Sequence, residues 1–146
     1  MKKSILLVLF IFTIISCKKE ETVLKTDSDV TSVSLPNNRL EIYAFHGTRQ
    51  CETCKNMKLN TKATLDKYFS DELKSNAIVY QVIDVDDDKN EALAEKFQAT
   101  GTALMINKVV DGKDNISDWS DFAFDKANEA NEFIPELKIK IEEVLK

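Results

Sequence analysis

The stretch Leu40-Glu41-Ile42-Tyr43-Ala44-Phe45-His46-Gly47-Thr48-Arg49-Gln50-Cys51-Glu52-Thr53-Cys54-Lys55 decides the fold. From Arg39 to His46 it is a near-continuous apolar run of strand length, the mark of a strand covered on both faces. Gly47-Thr48 breaks that run. From Glu52 onward Met57, Thr61, Leu65, Tyr68, Phe69 and Leu73 recur at three- and four-residue steps, which predicts a helix. The C-x-x-C pair therefore falls where a strand hands over to a helix, the usual setting for thiol–disulfide chemistry. A disulfide needs Cα atoms within about 7 Å, which the first turn of a helix provides.

Working outward, Ala77 to Ile83 is rich in β-branched residues and predicts a second buried strand. Asp84 to Asp88 is a polar turn with helix-capping side chains, and Asn90 to Phe97 predicts a short helix. Thr102 to Val110 predicts a third strand, Asp111-Gly112 a hairpin turn, and Lys113 to Trp119 a fourth strand. The C-terminal part reads as helical. Phe122, Ala123, Ala127, Ala130 and Phe133 lie on one stripe; Ile134, Leu137, Ile141, Val144 and Leu145 lie on another. Pro135, between them, fits a first helical turn or a kink. This order of elements gives an α/β fold, a mixed sheet with helices on both faces, in a single domain over residues 39–146.

Ahead of that domain, Met1-Lys2-Lys3 precedes an apolar run and then Ile14-Ile15-Ser16-Cys17. A basic start, a short apolar core and a small residue at the cut have the layout of a secretory signal peptide. The run is far shorter than the roughly twenty residues of a spanning helix. Ile14-Ile15-Ser16-Cys17 resembles the bacterial lipobox, which implies residues 1–16 as a lipoprotein signal and Cys17 as the lipidated first residue. Residues 17–38, dominated by Lys, Glu, Thr, Asp, Ser and Asn, read as a flexible tether, with Val30, Val33 and Leu35 as a possible edge strand. Lys18-Lys19-Glu20-Glu21 resembles the tag that sends some bacterial lipoproteins to the cell surface. The expected location is extracytoplasmic, on the periplasmic side or the cell surface, held to the membrane by acyl chains.

The net charge is −5, and cleavage after Ser16 would remove Lys2 and Lys3 but no acid. So acidic a surface repels phosphate backbones and argues against nucleic acid as a partner. No Gly-rich phosphate loop, Ser-His-Asp set or nucleotide fingerprint occurs, and no cofactor is expected.

The apolar strand ending in Phe45, Cys51-Glu52-Thr53-Cys54-Lys55, Val82-Ile83-Asp84-Val85-Asp86 and Leu93-Ala94-Glu95-Lys96-Phe97 follow one another in an order that resembles the thioredoxin-like superfamily. Tyr43-Ala44-Phe45-His46-Gly47-Thr48-Arg49 ahead of Cys51 looks most like a group of small bacterial thioredoxin-like proteins known as nitrophenyl-compound nitroreductase subunits. The superfamily resemblance implies a thioredoxin-like fold and a redox-active Cys pair. Departures are specific. Gln50 stands where thioredoxins have Trp, and Glu52-Thr53 where they have Gly-Pro. Tyr43 and Ala44 stand where a buried acid is expected. Thr100-Gly101-Thr102 occupies the loop that in the family carries a cis-proline shielding the thiols from metals.

From the residues themselves, Cys51 at a helix start is the expected attacking thiol, since the unpaired N–H groups and dipole there favour a thiolate. Cys54, one turn inward, is the expected resolving thiol. Arg49, Lys55 and His46 would reinforce a thiolate at Cys51, and Glu52 would oppose it. The first functional reading is thus a thiol–disulfide oxidoreductase acting on a protein or small-molecule disulfide, recycled by a membrane-bound electron donor or acceptor. A second is a soft-metal or metalloid module in which His46 joins Cys51 and Cys54 as ligands. A third is an interaction domain merely stapled by the disulfide. Asp84, Asp86, Asp88, Asn90 and Glu95 mimic a calcium loop, but Lys89 replaces its required glycine. Trp119, Phe122 and Phe124 read as core or groove packing.

Overall fold

The computed structural model describes residues 35–146. The expected signal segment, Cys17, Val30 and Val33 lie outside the described residues. Leu35 is exposed and belongs to no strand. None of the described helices is long and apolar enough to cross a membrane.

Strand β1 (Arg39–His46) is central, as its apolar run requires, with only its two end residues incompletely buried. It pairs in parallel with β2 (Ile78–Asp84) and antiparallel with β3 (Ala103–Val109). A short β4 (Ile116–Asp118) closes the mixed sheet in the order β2-β1-β3-β4. The β3–β4 turn is the two-residue type expected of Asp111-Gly112, with φ of 51° and 75° at the two positions. Its flank is pinned, since Val110 pairs with Lys113. The fourth strand is nevertheless shorter than the Lys113–Trp119 stretch suggested. All three residues of β4 are exposed, so it is a sheet edge with no face to bury.

Helices α1 (Glu52–Tyr68), α2 (Ser70–Lys74), α3 (Glu91–Phe97), α4 (Ser120–Lys126) and α5 (Ala130–Leu145) complete the domain. Alternation along β1 divides the core. Leu40, Ile42 and Ala44 meet Met57 and Leu65 of α1 and Phe133, Leu137 and Ile141 of α5 on one face. Tyr43 and Phe45 meet Ala94 and Phe97 of α3 on the other.

Two further expectations change. The helix after the Cys pair does not run unbroken to Leu73: Phe69, at φ −132°, turns inward to the core and divides it into α1 and α2. Strand β2 is an edge strand, not a buried one, with Gln81 and Val82 exposed because nothing among the described residues pairs on its outer side. Pro135 lies inside α5, beyond its first turn, where its missing N–H leaves the Asn131 carbonyl without the usual helical partner. Asn76 ends the α2 segment in the left-handed region expected of a residue past a helix terminus.

Candidate active site

Parallel pairing carries β1 and β2 to the same end, where His46 lies opposite Asp84 and its carbonyl accepts the Val85 N–H at 2.8 Å. Beyond that end the chain must reverse into α1 through Gly47–Gln50. Asp86, from the turn after β2, fixes the reversal by accepting the Thr48 backbone N–H at 2.7 Å. A Cβ at Gly47 would stand 3.1 Å from the same Asp86 oxygen, so glycine lets the carboxylate close on the loop. The bonds from Thr48, and then the nearby His46, hold the Asp86 carboxyl below the ordinary carboxylate range.

Cys51 is the N-cap of α1, in extended conformation (φ −74°, ψ 167°). Its Sγ accepts the Cys54 N–H at 3.1 Å, and its carbonyl accepts the Lys55 N–H at 3.1 Å. The first turn of the helix therefore folds over the sulfur. Cys51 and Cys54 are joined as a disulfide with Cα atoms 5.1 Å apart. The two differ in access: Cys51 is exposed, whereas Cys54 is 6% exposed. A thiol partner meets Cys51 first.

The residues around the pair are tied to the frame. The Lys58 ammonium donates to the Gln50 amide oxygen, holding the residue before Cys51 against α1. Asn128, in the α4–α5 connection, donates to Thr53 Oγ1 at 3.2 Å and accepts from Asn56 at 3.0 Å. Of the three basic residues expected to favour a thiolate, Lys55 is exposed and lies 3.8 Å from Glu52, Arg49 is exposed, and His46 turns Nδ1 to the Gly47 carbonyl at 2.9 Å. The helix start is a favourable field that the geometry brings directly onto Cys51. Among the described residues no group of three or more His, Cys, Asp or Glu side chains is arranged to hold a metal ion.

Antiparallel pairing sets Ala103 opposite Phe45, so the Thr100–Thr102 loop reaches the same end of the sheet as the Cys loop. That loop contains no cis peptide bond, and nothing lies within 4 Å of the position a Cβ would take at Gly101. Beside it a cleft of about 630 Å³ opens between the end of α3, the start of β3 and β4, with Thr100, Thr102, Asp118 and Ser120 on its walls.

No family model matches the chain, and no curated protein matches it. Among solved structures it is similar to a malarial protein at 19% identity and a TM-score of 0.41, over 68% of this chain and 97% of that one. It is also similar to a thioredoxin of Fasciola hepatica at 23% identity and a TM-score of 0.39, over 67% of this chain and 80% of that one.

Three contributors to the site were not legible in the sequence. From the residues alone Asp86 reads, with its neighbours, as a capping acid. In fact Asp87 does the local capping, accepting the Lys89 N–H at 3.2 Å, while Asp86 reaches back across the sheet end. Asn128 carries no local signal at all, because its partners Thr53 and Asn56 are far away in sequence, and Lys58 meets Gln50 only once the loop before Cys51 folds back along α1.

Proposed function

We propose that this chain is an extracytoplasmic thiol–disulfide oxidoreductase, lipid-anchored through Cys17, that exchanges disulfides through Cys51 and Cys54. One observation carries the reading: the disulfide joins an exposed helix-capping sulfur to a buried neighbour at the sheet end where the loops converge. In the reduced protein the Cys51 thiolate attacks one sulfur of the partner's disulfide, forming a mixed disulfide and releasing the partner's first thiolate. The Cys54 thiolate then attacks Cys51 Sγ, closing the internal disulfide and releasing the second. Two electrons pass from the protein dithiol to the partner, and an electron donor at the membrane restores the dithiol. The α1 N-terminus stabilises the thiolate at Cys51 both as nucleophile and as leaving group.

Cys51→Ser should abolish reduction of a protein disulfide such as insulin, and Cys54→Ser should accumulate the mixed disulfide at Cys51. Undiminished reduction by Cys51→Ser overturns the assignment. The reduction potential of the pair is expected between about −270 and −120 mV; a value below about −300 mV would mark a staple instead. Fatty-acid labelling lost in Cys17→Ala tests the anchor.

A further inference from the structure

One side of α1 lies open beside the disulfide. Tyr80 and Val82 of β2 point to the same sheet face as Leu40, Ile42 and Ala44, but β2 is the edge strand and α1 does not reach over it fully. The result is a groove of about 380 Å³, lined by Lys55, Lys58, Leu59, Lys62, Tyr80 and Val82. Its volume is in the range of ligand-sized clefts, about 300–1,000 Å³. Leu59 and Val82 are 64% and 47% exposed, unusual for large apolar side chains sharing one depression. Tyr80 is held in place by its hydroxyl, which donates to the Lys58 carbonyl at 3.2 Å.

We propose that this groove docks an acidic segment, carrying an apolar side chain, of the protein whose disulfide Cys51 exchanges. The inference rests on the oxidoreductase reading and adds the class of partner. Charge gives the first argument. Three lysines and no carboxylate line the groove, on a chain whose net charge is −5. Their present partners are weak competitors. Lys55 and Lys62 pair with Glu52 and Asp66 in solvent, at 3.8 and 2.6 Å, and exposed pairs of this kind are readily exchanged for an incoming carboxylate. Lys58 makes no ion pair among the described residues; its ammonium meets the Gln50 amide, with Asp84 the carboxylate that acts on it from β2. Burial disfavours its charge, so an anion arriving there is matched with a partly dehydrated cation.

Distance gives the second. A helix rises about 1.5 Å per residue, so Leu59 stands about 12 Å along α1 from Cys51, its N-cap, and Lys62 about 16.5 Å. An extended segment covers that in about four to five residues. A partner held by a mixed disulfide at Cys51 can lay its next few residues along α1, dropping an apolar side chain onto Leu59, Tyr80 and Val82 with carboxylates over the lysines.

Two measurements on the full chain test the proposal. In the first, a cysteine-free Asp-Leu-Asp peptide and its Lys-Leu-Lys counterpart are titrated into the oxidised protein and followed by amide chemical shifts. The acidic peptide should move Lys58, Leu59, Tyr80 and Val82, bind at least about tenfold tighter than the basic one, and lose that preference in high salt. Leu59→Asp and Lys62→Glu should each remove the binding. Shifts elsewhere, equal affinity for the two peptides, or binding unaffected by either variant overturns the docking site. In the second, exchange with hydroxyethyl disulfide should be equal in wild type, Leu59→Asp and Lys62→Glu, because that neutral disulfide does not reach the groove. Absence of this exchange in wild type would sink the oxidoreductase reading, and with it the partner's identity as an exchange substrate, while the peptide titration, which needs no turnover, decides the docking site by itself.

Discussion

The two faces of the sheet are built on different chemistry. Against α1 and α5 the buried set is mostly apolar, from Leu40 and Ile42 to Phe133, Leu137 and Ile141, with Thr61 and Thr64 of α1 as buried polar exceptions. Against α3, a helix of only seven residues, the aromatic cluster of Tyr43, Phe45 and Phe97 covers part of the face. A polar network covers the rest. Glu41 and Asn107 are directly opposed across β1 and β3, and both are buried. The Asn107 amide donates to Glu41 at 2.8 Å and to Asp114 at 2.7 Å, while its oxygen accepts the Asn115 N–H at 3.0 Å. Arg39 pairs with Glu41 at 2.5 Å, and Lys96 with Asp114 at 2.8 Å. A long helix lets one face rely on area removed from water; a short one leaves the other to rely on satisfied polar groups.

The sharpest way to break this contrast is to cut the first face. Phe133→Ala, at a fully buried position packed 5.2 Å from the Phe122 ring, should cost about 3–5 kcal/mol in denaturant unfolding. On the second face Asn107→Leu should cost about 1–3 kcal/mol, because two carboxylates lose a shared donor. Combining it with Glu41→Leu should recover part of that loss, as replacing both partners spares the unpaired charge. If the double variant is no better than the single, Glu41 draws its support from Arg39 alone.

A pH titration sharpens the contrast further. Burial, and then the Glu41 charge, push the Tyr43 hydroxyl up to about 12 from 10.0. A folded value above the unfolded one means a contribution complete below pH 10.0 and lost as the pH rises toward 12. Burial raises Tyr80 as well, so wild type should lose stability through this window, and Tyr43→Phe should flatten part of the slope. The smallest effect is expected at the sheet end. The depressed carboxyl of Asp86 contributes fully above its ordinary 3.8 and less as pH falls through its lower folded value. Asp86→Ala should leave the unfolding midpoint near that of wild type, yet speed hydrogen exchange at the Thr48 amide.

How much of this was written locally follows from the same contrast. Period and turn chemistry are local, so β1, the Asp111-Gly112 hairpin, α3 and the capping position of Cys51 could be read from the residues. Whatever depends on register could not. Glu41 sits inside a run that reads as continuously apolar, and only its pairing with Asn107 explains why a carboxylate belongs there. Likewise Val82 looks like core until the strand order makes β2 an edge, and Phe69 looks like another helical residue until the core claims it.

The chain enters the sheet at Arg39, whose guanidinium donates to the Pro36 carbonyl at 2.9 Å, while Asn37 and Asn38 bond to the β3–β4 turn. The sulfurs lie past the opposite terminus of β1, whose span at about 3.3 Å per residue is roughly 23 Å. The domain is thus entered at its heel and reacts at its toe, so lengthening or shortening the leash before Arg39 should leave the rate at which the thiols react with a small disulfide unaltered.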